Sequence, residues 1–150
     1  MLTNGDIAPV VNLADQDGNV LDWSALRGRR VMVFFYPKAS TPGCTQQACA
    51  LRDIAGDIGD TQIIGVSPDK SASQKKFADK NSLPYPLLAD VDHQLAEAFG
   101  VWKMKQLYGR SYMGIERSAF LIDTDGTVLQ AWYKISPKDT PLKLLEALQS

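Results

Sequence analysis

Residues 31–36, Val-Met-Val-Phe-Phe-Tyr, form an unbroken apolar run bounded by Gly28 and Pro37. A strand with one wetted face alternates apolar and polar residues, whereas one that is apolar throughout is covered on both faces, as in a parallel sheet. Helices must supply that cover, so the run places the chain in the α/β class. With 150 residues and 45% hydrophobic content, one domain spanning 1–150 can bury roughly two thirds of its unfolded surface without metal or disulfide staples.

The remaining elements follow from periodicity. Residues 10–26 read as an N-terminal hairpin, with Val10, Val11 and Leu13 on one side of Asp17-Gly18 and Val20 and Leu21 on the other. Ala48, Leu51, Ile54, Ala55 and Ile58 recur at helical spacing and predict a helix over 45–58. Ile63 to Val66 is a second buried strand. Ser71-x-x-Gln74 has the form of a capping box and opens a helix to about Lys80. Leu87-Leu88-Ala89 is a short apolar piece, and an extra helix runs from Asp92 to Phe99, capped by Gly100. Residues 118–122 and 128–133 flank Asp123-Thr124-Asp125-Gly126, a hairpin signature. Thr140 as N-cap with Pro141 at the first helical position starts the last helix. Without the first hairpin and the extra helix, the order is that of a thioredoxin-like α/β domain. No repeat or linker supports a second domain.

Cys44 follows Thr41-Pro42-Gly43 where the first buried strand gives way to a helix. Backbone N–H groups in a first helical turn lack intrahelical partners and carry the positive end of the macrodipole, so a thiol there is biased towards the nucleophilic thiolate. In open α/β sheets, moreover, chemistry gathers beyond the carboxyl ends of the strands. Cys49 lies within an apolar helical face and, taken alone, reads more as inert packing than Cys44 does. A zinc site fails for want of ligands, because only His93 accompanies the two cysteines. A cysteine hydrolase would depend on the same histidine, which reads as a solvated first-turn residue. The cysteine spacing is wrong for a Cys-x-x-Cys motif.

Arg117 stands at the lip of the run 118–122, where it reads either as a surface charge paired with Glu116 or as a cation brought to a site. Residues 101–114 read as a loop mixing Trp102, Tyr108 and Tyr112 with Lys103, Lys105 and Arg110, and are expected to form a pocket wall. The net charge of −1 gives no electrostatic reason to expect a nucleic acid or membrane partner. The N-terminus lacks a basic region followed by an apolar stretch, and no run approaches membrane-spanning length, so a cytoplasmic location is expected. In that reducing setting a persistent structural disulfide is not expected.

These residues resemble the peroxiredoxins, specifically the bacterioferritin-comigratory or PrxQ-type thiol peroxidases. The similarity rests on Phe35-Tyr36-Pro37-Lys38, Thr41-Pro42-Gly43-Cys44-Thr45, Ala48-Cys49, Arg52-Asp53, Gly65-Val66-Ser67 and Tyr112-Met113-Gly114-Ile115-Glu116-Arg117-Ser118. By that resemblance Cys44 is the peroxidatic cysteine, Pro37, Thr41 and Arg117 form its pocket, and Cys49 is the resolving cysteine. Gln47 stands where the family usually has a glutamate bracing the arginine.

The resemblance implies reduction of hydrogen peroxide and organic hydroperoxides through a Cys44 sulfenic acid, which a second thiol then resolves. Attack of thiolate on a peroxide needs donors at both ends, which the Arg117 guanidinium, the Thr41 hydroxyl and the N–H groups of Gly43 and Cys44 would supply. No metal, haem or flavin is implied. Thioredoxin or a similar dithiol would recycle a monomeric enzyme. The alternatives are a thiol–disulfide oxidoreductase acting on proteins and a non-enzymatic thioredoxin-fold binding or chaperone module with inert thiols.

Overall fold

The computed structural model describes residues 1–149. Five strands form the central sheet: β1 (Val31–Phe35), β2 (Gln62–Ser67), β3 (Leu87–Ala89), β6 (Ser118–Ile122) and β7 (Val128–Trp132), in the order β3-β2-β1-β6-β7. β1 pairs parallel with β2, and β2 with β3. The β1–β6 and β6–β7 pairs are antiparallel. The apolar run thus occupies the centre of the sheet, and all five residues of β1 are buried.

Strand alternation sends β1 side chains into two cores. Met32, Phe34 and Tyr36 join Ala48 and Leu51 of α1 (Pro42–Asp53), Phe77 of α2 (Ser71–Asn81) and Leu144 of α4 (Asp139–Leu148). Val31, Val33 and Phe35 face the other way, towards Leu95 and Ala96 of α3 (Gln94–Ala98), Phe99, and Trp23 from the N-terminal segment. The crossing is tight at Gly65. A Cβ there would lie 2.7 Å from Leu87 Cδ2 and 2.9 Å from Phe34 Cζ, so glycine lets the two sheet neighbours close over β2.

Several local expectations change. The hairpin over 10–26 reduces to one bridge, Ala14 with Val20, followed by a 3-10 turn over Trp23–Leu26. The Asp15 carboxylate accepts from the N–H groups of Asp17 and Asn19 and tightens the turn locally. The Trp23 indole donates to the Val11 carbonyl at 2.9 Å. The helix expected over 45–58 begins three residues earlier and ends at Asp53, with a separate 3-10 turn over Ala55–Asp57.

Gln74 does not cap α2. Its amide is buried, accepts from Tyr36 Oη, and donates to Ser67 Oγ at 2.8 Å and to the Leu88 carbonyl at 2.9 Å. Tyr36 itself is held protonated, because burial pushes its phenol far above the ordinary value. Nor is Thr140 an N-cap, since α4 starts at Asp139 and the Thr140 side chain points to partners described below. Residues expected to form a loop and a pocket wall instead make a second, two-stranded sheet, β4 (Trp102–Leu107) with β5 (Arg110–Ile115). Its turn residue Tyr108 is 97% exposed.

Candidate active site

The loop leaving β1 crosses to α1 through Pro37–Thr41. Its path is fixed by the Asp69 carboxylate, which accepts from the Ala39 N–H at 2.7 Å and from Ser67 Oγ at 2.6 Å. Pro42 then fills the first helical position, where its missing N–H is no loss and its fixed φ suits the helix. Thr41 occupies the N-cap position in extended conformation but provides no side-chain cap. Its hydroxyl donates instead to the Lys38 carbonyl at 2.7 Å. The first turn therefore keeps uncapped N–H groups at Gly43 and Cys44, beside the sulfur.

Cys44 is 1% exposed. Arg117, in the link between β5 and β6, directs two guanidinium nitrogens at its Sγ, Nη1 and Nη2 each at 3.5 Å. Gly43 leaves room for that approach, since a Cβ at this position would lie 3.2 Å from Arg117 Nη2 and press the guanidinium back by a few tenths of an ångström. The surface-charge reading of Arg117 is thereby replaced: its partners are Cys44 and Gln47.

Gln47, fully buried, explains how an amide can stand where a carboxylate is usual. Its Oε1 accepts from Arg117 Nη1 at 2.8 Å, and its Nε2 donates to Thr140 Oγ1 at 2.9 Å. Thr140 Oγ1 in turn donates to the Ser136 carbonyl at 2.8 Å, so it presents a lone pair that only a donor can meet. An amide suits both sides; a carboxylate would meet Arg117 equally well but would force the Thr140 hydroxyl to turn.

Cys49 is also a free thiol, half-buried on the same helix, and donates to Asn81 Oδ1 at 3.6 Å. Pro37 is half-buried just beyond β1. His93 sits at the start of α3, where its ring stacks on Trp102 with centroids 4.1 Å apart and its Nδ1 meets Glu97 Oε2 at 3.1 Å. The side-chain partners of the two thiols are Arg117 and Asn81, and His93 is a hydrogen-bond partner of neither. Among the described residues there is no cluster of three or more His, Cys, Asp or Glu able to hold a metal ion. None of their helices is long and apolar enough to cross a membrane.

Sequence reasoning missed Thr140, Ser136, Asp69 and Asn81 as neighbours of the thiol helix. Each is a polar residue with no local mark of its role: Asp69, Asn81 and Thr140 reach the site through contacts across 30 or more positions, and Ser136 through Thr140.

A five-stranded sheet of this order, with a buried thiol at the start of the helix that follows its central strand, defines a thioredoxin-fold protein of the peroxiredoxin class. The chain belongs to the AhpC/TSA family, which matches residues 4–131. It is 44% identical over 147 residues to peroxiredoxin Bcp of Bacillus subtilis (strain 168), covering 97% of this chain and 94% of that protein. Peroxiredoxin Bcp of Escherichia coli (strain K12) is 48% identical over 129 residues, with 85% and 83% covered.

Among solved structures, a PrxQ variant from Xylella fastidiosa superposes with a TM-score of 0.92 at 26% identity, covering 99% of this chain and 96% of that one. A bacterioferritin comigratory protein of Xanthomonas campestris, described for its alkyl peroxide reduction activity, gives 0.86 at 35% identity, with 93% and 90% covered. The chain is accordingly a thiol peroxidase acting on hydroperoxides.

Proposed function

We propose that this single domain reduces hydrogen peroxide and organic hydroperoxides at Cys44 and resolves the product through Cys49. The reading rests on the two Arg117 nitrogens 3.5 Å from Cys44 Sγ at an uncapped helix N-terminus. The Cys44 thiolate attacks the nearer peroxide oxygen; a sulfur–oxygen bond forms, the O–O bond breaks, and sulfur is oxidised by two electrons. The departing alkoxide or hydroxide takes a proton and leaves as alcohol or water. Arg117 stabilises negative charge first on sulfur and then on the leaving oxygen.

Thr41 takes a refined part. With its hydrogen directed to Lys38, Oγ1 has acceptor capacity for the peroxide's own O–H, while the Gly43 and Cys44 N–H groups act as donors. Pro37, lacking an N–H, shields the sulfur from water.

The sulfenic acid then condenses with Cys49 to a disulfide, releasing water. In one continuous helix five residues rise about 7.5 Å and turn the side chains well apart, so the Cα atoms lie beyond the roughly 7 Å that a disulfide bridges without backbone movement. Residues 42 to about 52 must unwind locally. Thioredoxin or a similar dithiol recycles the enzyme, which acts as a cytoplasmic monomer without metal, haem or flavin.

Hydroperoxide consumption coupled to thioredoxin, its reductase and NADPH tests the proposal. Turnover is expected with the wild type and none with Cys44→Ser. Undiminished turnover by that variant, or insulin reduction without hydroperoxide turnover, would replace this reading.

A further inference from the structure

Two features of α1 converge on one residue that the peroxidase chemistry does not use. Cys49 donates to Asn81 Oδ1 at 3.6 Å, and Arg52, one turn further along the same face, donates from Nη1 to the Asn81 carbonyl at 2.6 Å. Asn81 is the last residue of α2. Its Nδ2 donates to the Phe77 carbonyl at 3.0 Å, which fixes the amide so that Oδ1, the acceptor end, is the one turned to Cys49. Ser82 follows with φ +52 and ends the helix. Four residues past Asn81, buried Tyr85 donates its phenol to the Ala48 carbonyl at 2.6 Å. Segment 81–85 thus clips the second half of α1 at Ala48, Cys49 and Arg52.

We infer that Asn81 is a latch on the resolving thiol, a positioning residue that governs how the Cys44 sulfenic acid divides between disulfide and over-oxidation; the inference rests on the roles proposed for Cys44 and Cys49. Two reactions compete for the sulfenic acid. In the first, Cys49 sulfur bonds to Cys44 sulfur and the sulfenic oxygen leaves as water. In the second, another hydroperoxide transfers an oxygen to Cys44, giving sulfinic acid and an alcohol, or water when the oxidant is hydrogen peroxide. Only the first requires Cys49 to leave Asn81 and α1 to open. The latch therefore slows resolution without touching the peroxide step, and its strength sets the peroxide concentration at which the enzyme inactivates itself.

The choice of acceptor matters. An amide oxygen holds S–H weakly and reversibly, adding no charge beside Arg52, whose cation already pairs with Asp53 at 2.9 Å.

Rapid-quench alkylation with intact-mass readout, on the full chain mixed with one and with ten equivalents of hydrogen peroxide, resolves sulfenic acid, disulfide and sulfinic acid. Asn81→Ala is expected to form sulfenic acid at the wild-type rate and disulfide about three- to tenfold faster, from the loss of one hydrogen bond, with a matching fall in sulfinic acid. Asn81→Asp also loses the bond to Phe77 yet keeps an acceptor for the thiol. It should resolve no faster than wild type, whereas a purely structural role would make it behave like alanine. Arg52→Gln loosens the second clip and should accelerate resolution too, which keeps the test open if Asn81→Ala folds poorly. An unchanged division between disulfide and sulfinic acid in Asn81→Ala and Arg52→Gln, with sulfenic acid forming normally, would overturn the latch. Absence of any Cys44 sulfenic acid in the wild type would instead overturn the peroxidase reading beneath it, and the latch with it.

Discussion

The two halves of α1 carry the same functional group in opposite surroundings. At its start, Cys44 is buried, with two guanidinium nitrogens on its sulfur and uncapped helix N–H groups beside it, all of them donors. Half the helix further on, Cys49 is half-buried and faces an amide oxygen, which can engage the sulfur only as S–H. On the proposed reading, the first thiol attacks and the second waits. Donors against acceptors, rather than distance along the chain, distinguish the two surroundings, and the proposed disulfide requires the backbone between them to yield.

Removing the attacking sulfur should give the largest contrast. Cys44→Ser is expected to lower the second-order rate constant with hydrogen peroxide by at least about three orders of magnitude, while Cys49→Ser keeps the first step and loses thioredoxin-linked turnover. Stopped-flow single turnovers on both variants measure this; equal losses would erase the distinction between the two ends.

Next in size is the cation. Arg117→Ala should slow the peroxide step by about 100- to 1000-fold, as for loss of a preorganised donor to a developing anion, and should slow iodoacetamide alkylation of Cys44 but not of Cys49. A third change tests what holds the cation. Thr140→Val leaves Gln47 Nε2 buried without its acceptor and is expected to lower unfolding free energy by about 1–3 kcal/mol, read from urea midpoints. The smallest effect lies at the other end of α1. Tyr85→Phe removes the bond to the Ala48 carbonyl and should reduce stability by about 0.5–1.5 kcal/mol without altering the peroxide step.

The same contrast marks what the sequence could reveal. That a helix starts beside Cys44 was legible because its determinants are local, an apolar run followed by Thr41-Pro42-Gly43-Cys44, although the first helical residue is Pro42, three positions before the expected start. The sheet was legible for a related reason, since Val31 to Tyr36 can satisfy their alternation only between two cores. The other supports of the site were not, because each hydroxyl or amide had a plausible local use that a distant partner overrode. Thr140 beside Pro141 looks like a cap, but Gln47, 93 positions away, draws its oxygen inward. Gln74 completes a capping pattern with Ser71, yet Tyr36, 38 positions away, claims it. Residues 102–115 escaped notice as strands because both faces of their hairpin meet solvent over much of its length, leaving no burial pattern to imprint on the sequence. The hairpin at 10–26 fails in the converse way: alternation and an Asp-Gly pair are present, but the Asp15 carboxylate engages the Asn19 N–H and the Trp23 indole engages the Val11 carbonyl.

The β4–β5 hairpin shares no ladder with the central sheet, and its turn at Tyr108 and Gly109 is held by positive φ at both residues. Only its root is anchored, where buried Ile115 stands two positions before Arg117. Lengthening the hairpin by whole cross-strand pairs at the tip changes its reach while leaving the root, and therefore the guanidinium, in place. The molecule thus has an arm that can grow or shrink independently of its chemistry, a natural point for descendants of this chain to diversify and for engineers to attach a tether or a reporter.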